Sequence, residues 1–134
     1  MSRLSIEFVD TARRIADEVL FPVAGEVEAR GEVPREHLDL LAAQGFYGLF
    51  VAVADDDLPD AYRAAEALAS GCLSTALVWM QHHLAVRAVA SSERPGVRES
   101  WLPRLSTGDI RAGAAVGGLR HGPPLLRSRA VDGG

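Results

Sequence analysis

The hydrophobic period of this sequence changes once, at residues 97–118 (VRESWLPRLSTGDIRAGAAVGG), and that change limits the folds open to the chain. A helical turn carrying Trp101 meets Pro103, and a polar break follows at residues 106–109. Residues 110–116 are then small or apolar except for Arg111, a pattern that predicts a buried strand. Everything upstream has helical spacing. We therefore expect a mainly α protein: a helical N-terminal bundle, then the first strands of a small β-domain.

Composition excludes several classes of protein. The chain has 134 residues, 48% of them hydrophobic and 24% charged, which is typical of one globular unit with a modest core. Its formal net charge of -4 argues against nucleic acid as a partner, because nucleic-acid-binding domains usually present a basic face. The single cysteine, Cys72, excludes an internal disulfide.

The sequence also predicts the compartment. No segment approaches the roughly 18 apolar residues of a membrane span. Charged residues at positions 7, 10, 13 and 14 stand where a signal peptide needs an apolar core. We expect a cytoplasmic protein.

Apolar positions 8, 12, 15, 19, 23 and 27 recur at helical spacing and predict a first helix. Pro22 lies inside that pattern and predicts a kink or break, because proline lacks an N–H and its ring crowds the preceding turn. Gly45 is the expected left-handed end of a second helix. Residues 47–53 are interpreted as an extended apolar connector, and Asp57 as the cap of a third helix beginning at Leu58.

A fourth helix is predicted over residues 73–91, and it is apolar around most of its circumference. His83, Arg87 and Ser91 form its one polar line, so we place it at the centre of the bundle. Trp79 and Trp101 are predicted to be core residues.

The end of the chain predicts a continuation. Residues 126–131 alternate as a second strand would, but two strands alone are marginally stable in water. We expect a front part of a longer protein, with domains at residues 1–108 (helical) and 109–134 (incomplete β-domain).

Five segments in order resemble the N-terminal portion of the acyl-CoA dehydrogenase family. They are FP at 21–22, LAAQGFYGL at 41–49, EALA at 66–69, STA at 74–76 and WLPRLSTGD at 101–109. The last resembles the family's junction between helical and β-domains. The resemblance implies an FAD-dependent oxidoreductase acting on the CH–CH group of acyl-CoA, with a glutamate base beyond Gly134. It also implies an electron-acceptor flavoprotein as a possible partner and a homo-oligomer at full length.

The resemblance also implies site residues. Val116, Gly117 and Gly118 align with the family's flavin-contacting Leu-Thr-Glu-Pro strand end; the side-chain hydroxyl is absent, but glycine lets a backbone approach a ring closely. His82, His83 and Gly122 are candidates for the substrate pocket. A metal site is not expected, since adjacent histidines on a helix diverge by about 100° and no further ligand stands at suitable spacing.

Two other functions remain open at this point. Residues 74–79 (STALVW) are similar to the central helix of flavin-dependent monooxygenases that share this architecture. The altered flavin segment also allows a degenerate helical interaction module that binds no flavin.

Overall fold

The computed structural model describes residues 3–52, 58–115 and Gly122. Within these residues the chain is mainly helical, which confirms the helical part of the predicted fold class. The elements in chain order are α1 Arg3–Ile15, a π-helical turn Ala16–Leu20, a 3-10 turn Phe21–Val23, α2 Ala24–Arg30, α3 Arg35–Ala43, a 3-10 turn Phe46–Gly48, α4 Leu49–Ala52, α5 Leu58–Gly71, α6 Leu73–Ala90 and α7 Val97–Thr107.

Pro22 interrupts the first helix, as predicted. The α-helical pattern stops at Ile15, and the N–H of Phe21 reaches back five residues to the carbonyl of Ala16. This wider π turn and the 3-10 turn after it accommodate a residue that donates no hydrogen bond. The helical path resumes in α2, which ends at a left-handed Gly31 (φ 67°).

The end of α5 crosses the π turn at a very short distance. A Cβ atom on Gly71 would lie 2.6 Å from the Cα of Ala16, so only glycine fits at this crossing. This contact fixes the start of α6, because Cys72 and α6 follow Gly71 directly.

The connection between α3 and α5 differs from the sequence interpretation. Gly45 is left-handed (φ 78°), as predicted, but the residues that follow form a 3-10 turn and the short α4 instead of an extended connector. Phe46, Tyr47 and Leu49 are buried in this compact arrangement. Helical turns bring these three apolar residues into the core within four positions. The predicted cap, Asp57, lies outside the described residues.

Helix α6 has two contrasting faces. Its inner face holds Trp79, His82 and His83, all buried. Its outer face leaves Leu73 and Leu77 exposed by 70% and 55%. The prediction of a polar line along this helix is therefore wrong at His83, which is buried, while leucines on the opposite face point to solvent.

Helix α7 extends further than expected, to Thr107, and includes Pro103. It ends at Gly108, which is left-handed (φ 80°). Trp101 is 49% exposed, so its prediction as a core residue is wrong, whereas Trp79 is fully buried.

The predicted first strand does not form over the part of it that is described, residues 110–115. These residues have no regular secondary structure and are half-buried or exposed. Their amide groups bond to side chains of α6 and to the end of α7 instead of to another strand. Residues 126–131 lie outside the described part, so the β-domain and the boundary at residue 108 stay predictions.

The core combines residues from all parts of the described chain. Its largest fully buried side chains are Trp79, Tyr47, Phe46, Leu20, Leu41, Leu49, Leu68, His82, Val86 and Thr75. Among the described helices, none is long and apolar enough to cross a membrane.

Candidate functional site around His82 and His83

Two adjacent histidines on α6 lie on the buried side of the helix. Their ring centroids are 5.6 Å apart and their planes differ by 79°, so each ring enters a different environment. His82 points to the end of α7 and the segment after it. His83 points to α4 and α5. The two sides are described in turn.

Both ring nitrogens of His82 are hydrogen-bonded. Its Nε2 lies 2.9 Å from the carbonyl oxygen of Leu105 in α7. Its Nδ1 lies 3.2 Å from the backbone nitrogen of Ala112. A carbonyl only accepts and an amide N–H only donates, so Nε2 carries the proton and Nδ1 is unprotonated. The structure thus requires one neutral tautomer.

The electrostatic surroundings of His82 favour that neutral form. Burial lowers the pKa of His82, the Leu105 carbonyl opposes this, and the positive charge of Arg111 lowers it further. The ring of Tyr47 packs edge-on against His82 at a centroid distance of 4.7 Å.

Arg111 links this side of the site to α3. Its guanidinium lies 5.3 Å from the Tyr47 ring centroid and donates a 2.6 Å hydrogen bond to Asp39. Burial raises the pKa of Tyr47, with Arg111 acting in the opposite direction, so the phenol stays neutral. The segment after α7 is therefore attached both to α3 and to α6.

His83 has the opposite chemistry. Both of its ring nitrogens are buried and lack a hydrogen-bond partner among the described residues. Aromatic rings surround it: Phe50 at 4.7 Å and Trp79 at 4.8 Å between centroids. Burial lowers the pKa of His83 to about 4, with His82 contributing in the same direction. At neutral pH it is an uncharged polar group in an apolar setting, which is costly without a partner.

A cavity of about 300 Å³ opens beside His83, between α4, α5 and α6. Its walls are mainly apolar or aromatic, with one cation among them. The lining residues are Phe50, Leu58, Tyr62, Met80, His83, Leu84 and Arg87. Apolar walls with a few polar groups are typical of ligand sites, and this volume is at the lower end of their usual range of about 300–1,000 Å³. The cavity suits a small apolar group.

A larger cavity, about 650 Å³, has a different character. It lies at the surface between α3 and the end of α7, and its lining includes Arg35, Asp39, Asp109 and Arg111. Asp39 pairs with both arginines, at 3.8 Å and 2.6 Å. We consider it a poorer candidate for an apolar ligand, because four of its lining residues are charged.

The structure brings none of the remaining predicted site residues into contact with the two histidines, and most of them lie outside the described residues. Gly122 is exposed with φ 123°, and a Cβ there would meet nothing within 4 Å. Val116, Gly117 and Gly118 are outside the described residues. Cys72 is a buried free cysteine at the start of α6, and its Sγ accepts a 3.3 Å hydrogen bond from Thr75 Oγ1. In the described part of the chain no group of three or more His, Cys, Asp or Glu is placed to hold a metal.

Several residues of this site could not be identified from the sequence. Arg111 meets Asp39 across 72 positions, and Phe50 meets His83 across 33. The only sequence signal was the pair of histidines in an otherwise apolar helix. That signal located the site but did not indicate the different roles of its two rings.

Comparison with known proteins agrees with this arrangement of helices. Residues 5–109 match the family model described as acyl-CoA dehydrogenase, N-terminal domain. No curated protein matches the chain. The match covers most of the 134 residues and ends just beyond α7. The chain belongs to the acyl-CoA dehydrogenase family, through its N-terminal helical domain.

Proposed function

We propose that this chain is the N-terminal part of an FAD-dependent oxidoreductase that converts acyl-CoA thioesters to their 2-enoyl forms. The match to the family's N-terminal domain over residues 5–109 carries the proposal. In this reaction a glutamate base would remove the α-proton, and FAD would supply the acceptor for the β-hydride. We propose that the base lies beyond Gly134, so that the 134 residues alone are not catalytically competent.

We assign the apolar part of the substrate to the cavity beside His83. The aromatic and aliphatic walls match an acyl chain, and about 300 Å³ accommodates such a group but not a whole acyl-CoA. His83 contributes an uncharged wall at neutral pH. His82 has both nitrogens engaged, so it supports the pocket from behind and does not contact the ligand. Gly122 stays a candidate on the basis of the family resemblance alone.

For FAD, we propose that the backbone of Val116, Gly117 and Gly118 approaches the flavin. In support, the chain leading to them passes along α6 within hydrogen-bond distance of Gln81 and His82. When bound, the cofactor supplies the hydride acceptor. An electron-acceptor flavoprotein as partner, and a homo-oligomer at full length, complete the proposal.

Two alternatives have some support of their own. A flavin-dependent monooxygenase of the same fold would use the same cavity for its substrate, and the aromatic walls suit such a substrate equally well. A helical interaction module without flavin is favoured by the exposed leucines of α6, because apolar surface of this kind often contacts another protein.

The decisive test is to purify the protein with whatever sequence its gene encodes after Gly134. A yellow protein bleached by acyl-CoA under anaerobic conditions supports the dehydrogenase. Bleaching only by an external flavin reductase supports the monooxygenase. A colourless protein that does not take up added FAD supports the interaction module.

A second test uses the 134 residues alone. Since half of the proposed flavin site is absent, FAD should separate from this chain during gel filtration. Retention of stoichiometric FAD would contradict the proposed division of the site.

A further inference from the structure

The segment that follows α7 is attached to α6 by side chains. Ala112 N–H donates to Nδ1 of His82 at 3.2 Å, and Ala114 N–H donates to Oε1 of Gln81 at 3.4 Å. As the chain advances from Ala112 to Ala114, its partner moves back from His82 to Gln81. The segment is therefore bonded to two neighbouring residues of α6. At its start, Ile110 N–H bonds to the Arg104 carbonyl at 3.2 Å.

The two hydrogen bonds of His82 respond oppositely to protonation. A cationic imidazole has an N–H at both nitrogens. The hydrogen bond from Nε2–H to the Leu105 carbonyl remains and becomes charge-assisted. The bond at Nδ1 is lost, because the new N–H faces the N–H of Ala112. Protonation of His82 therefore breaks its contact with Ala112 and keeps its contact with Leu105, whereas the neutral ring makes both.

We propose that His82 is an acid-sensitive clip: in its neutral Nε2–H form it holds the backbone of Ala112 against α6, and its protonation releases that contact while α7 stays docked.

The groups that face His82 influence the pH at which its contact with Ala112 is lost. They are Tyr47 from the 3-10 turn, Arg111 from the segment itself, and His83 from α6; Asp39 of α3 acts through Arg111. Burial lowers the pKa of His82, so the clip is closed near neutral pH and opens only below the ordinary value of 6.5.

The clip could bear on function because residues 112–115 run directly into Val116, Gly117 and Gly118. Loss of the contact at Ala112 would change how the backbone of those three residues approaches the flavin. This consequence rests on the proposed function, but the clip itself does not.

The first measurement is the tautomer of His82, read from imidazole ¹⁵N shifts in the 134-residue chain at about pH 7.5, where an ordinary histidine is neutral. An Nε2–H signal with an unprotonated Nδ1 is expected. An Nδ1–H tautomer would overturn the proposal without any mutation.

The second measurement is amide hydrogen exchange during acid titration, corrected for the intrinsic rate. As His82 protonates, protection at Ala112 should fall about tenfold, the factor that one neutral hydrogen bond typically contributes. The matched control is Ile110, whose amide bonds to Arg104 at the other end of the segment and should keep its protection. Simultaneous loss at both amides, or no loss before the chain unfolds, contradicts the clip.

Two variants separate the clip from general destabilisation. His82→Asn places an uncharged oxygen near the position of Nδ1, so protection at Ala112 should become independent of pH. His82→Gln places its amide nearer the position of Nε2, so Ala112 should be unprotected at every pH. His83→Gln is the control and should keep the wild-type pH response. A wild-type response in His82→Asn would refute the proposal.

Discussion

His82 and His83 are neighbours in sequence, and both are buried, yet they occupy opposite kinds of environment. His82 satisfies both nitrogens and joins three segments of backbone. His83 satisfies neither among the described residues and borders a cavity. Residues that support a fold are normally satisfied in this way, and an unsatisfied buried polar group calls for a functional explanation. The contrast supports the two proposals above, a structural and regulatory role for His82 and a place beside the ligand for His83.

Trp79 supports both sides, because it packs against His83 and its Nε1–H donates to the Phe46 carbonyl at 3.3 Å. Trp79→Ala should lower the free energy of unfolding by about 3–5 kcal/mol, the usual cost of emptying a large aromatic site. Urea unfolding measures this. Trp101→Ala is the matched control and should cost less than about 1 kcal/mol, because Trp101 is half exposed. Equal losses for the two tryptophans would show that α6 is not the centre of the core.

The next largest effect is expected in acid, where His83 should make the stability of the fold depend on pH. Below pH 6.5 the unfolded chain protonates His83, whereas the folded chain does so only near its pKa of about 4. The unfolded state therefore binds more protons between these values, and stability falls as the pH is lowered through them, by at most about 3 kcal/mol. Urea midpoints across this range should show a shallower pH dependence for His83→Leu than for wild type. Identical slopes would mean that His83 has a partner in solution.

Leucine substitutions at positions 82 and 83 compare, near neutral pH, how much each histidine contributes to the free energy of unfolding. His82→Leu leaves the Leu105 carbonyl and the Ala112 N–H unpaired and should cost about 1–3 kcal/mol. His83→Leu removes two unsatisfied nitrogens and should change the free energy of unfolding by less than about 1 kcal/mol, or raise it. Thermal and urea unfolding of the two variants provide the comparison. A larger loss at position 83 would reverse the assignment.

The smallest effect is expected at the ion pair that holds Arg111. Asp39→Asn should cost about 0.5 kcal/mol, because Asp39 is half exposed and solvent weakens the attraction. Asp10→Asn removes a more exposed pair with Arg13 and serves as the control, with a still smaller change. A loss well above 1 kcal/mol at Asp39 alone would show that this ion pair stabilises the fold more than its exposure predicts.

Much of the helical arrangement could be predicted from local signals. The interruption at Pro22 and the left-handed Gly45 depend on the backbone chemistry of single residues, and they were predicted correctly. The connector at residues 47–53 was not, because its apolar residues suit an extended strand and a tight helical turn equally well. The family resemblance was confirmed because it depended on the order of several segments and not on any one of them.

The candidate site was predicted less completely. Helix α6 is apolar around most of its circumference, so its sequence does not indicate which face is buried. The packing of the neighbouring helices determines which face of α6 is buried. Packing against α4, α5 and α7 buried His82 and His83 and left Leu73 and Leu77 exposed.

The sequence by itself therefore determined where the first helix is interrupted, where the second one ends, and which family the chain belongs to. Only the tertiary structure decided that adjacent histidines have different partners, because those partners lie 23 and 30 positions from His82 and 33 positions from His83. Helix signals act over a few residues, whereas a hydrogen bond to Leu105 or a cavity beside Phe50 exists only after distant helices have packed.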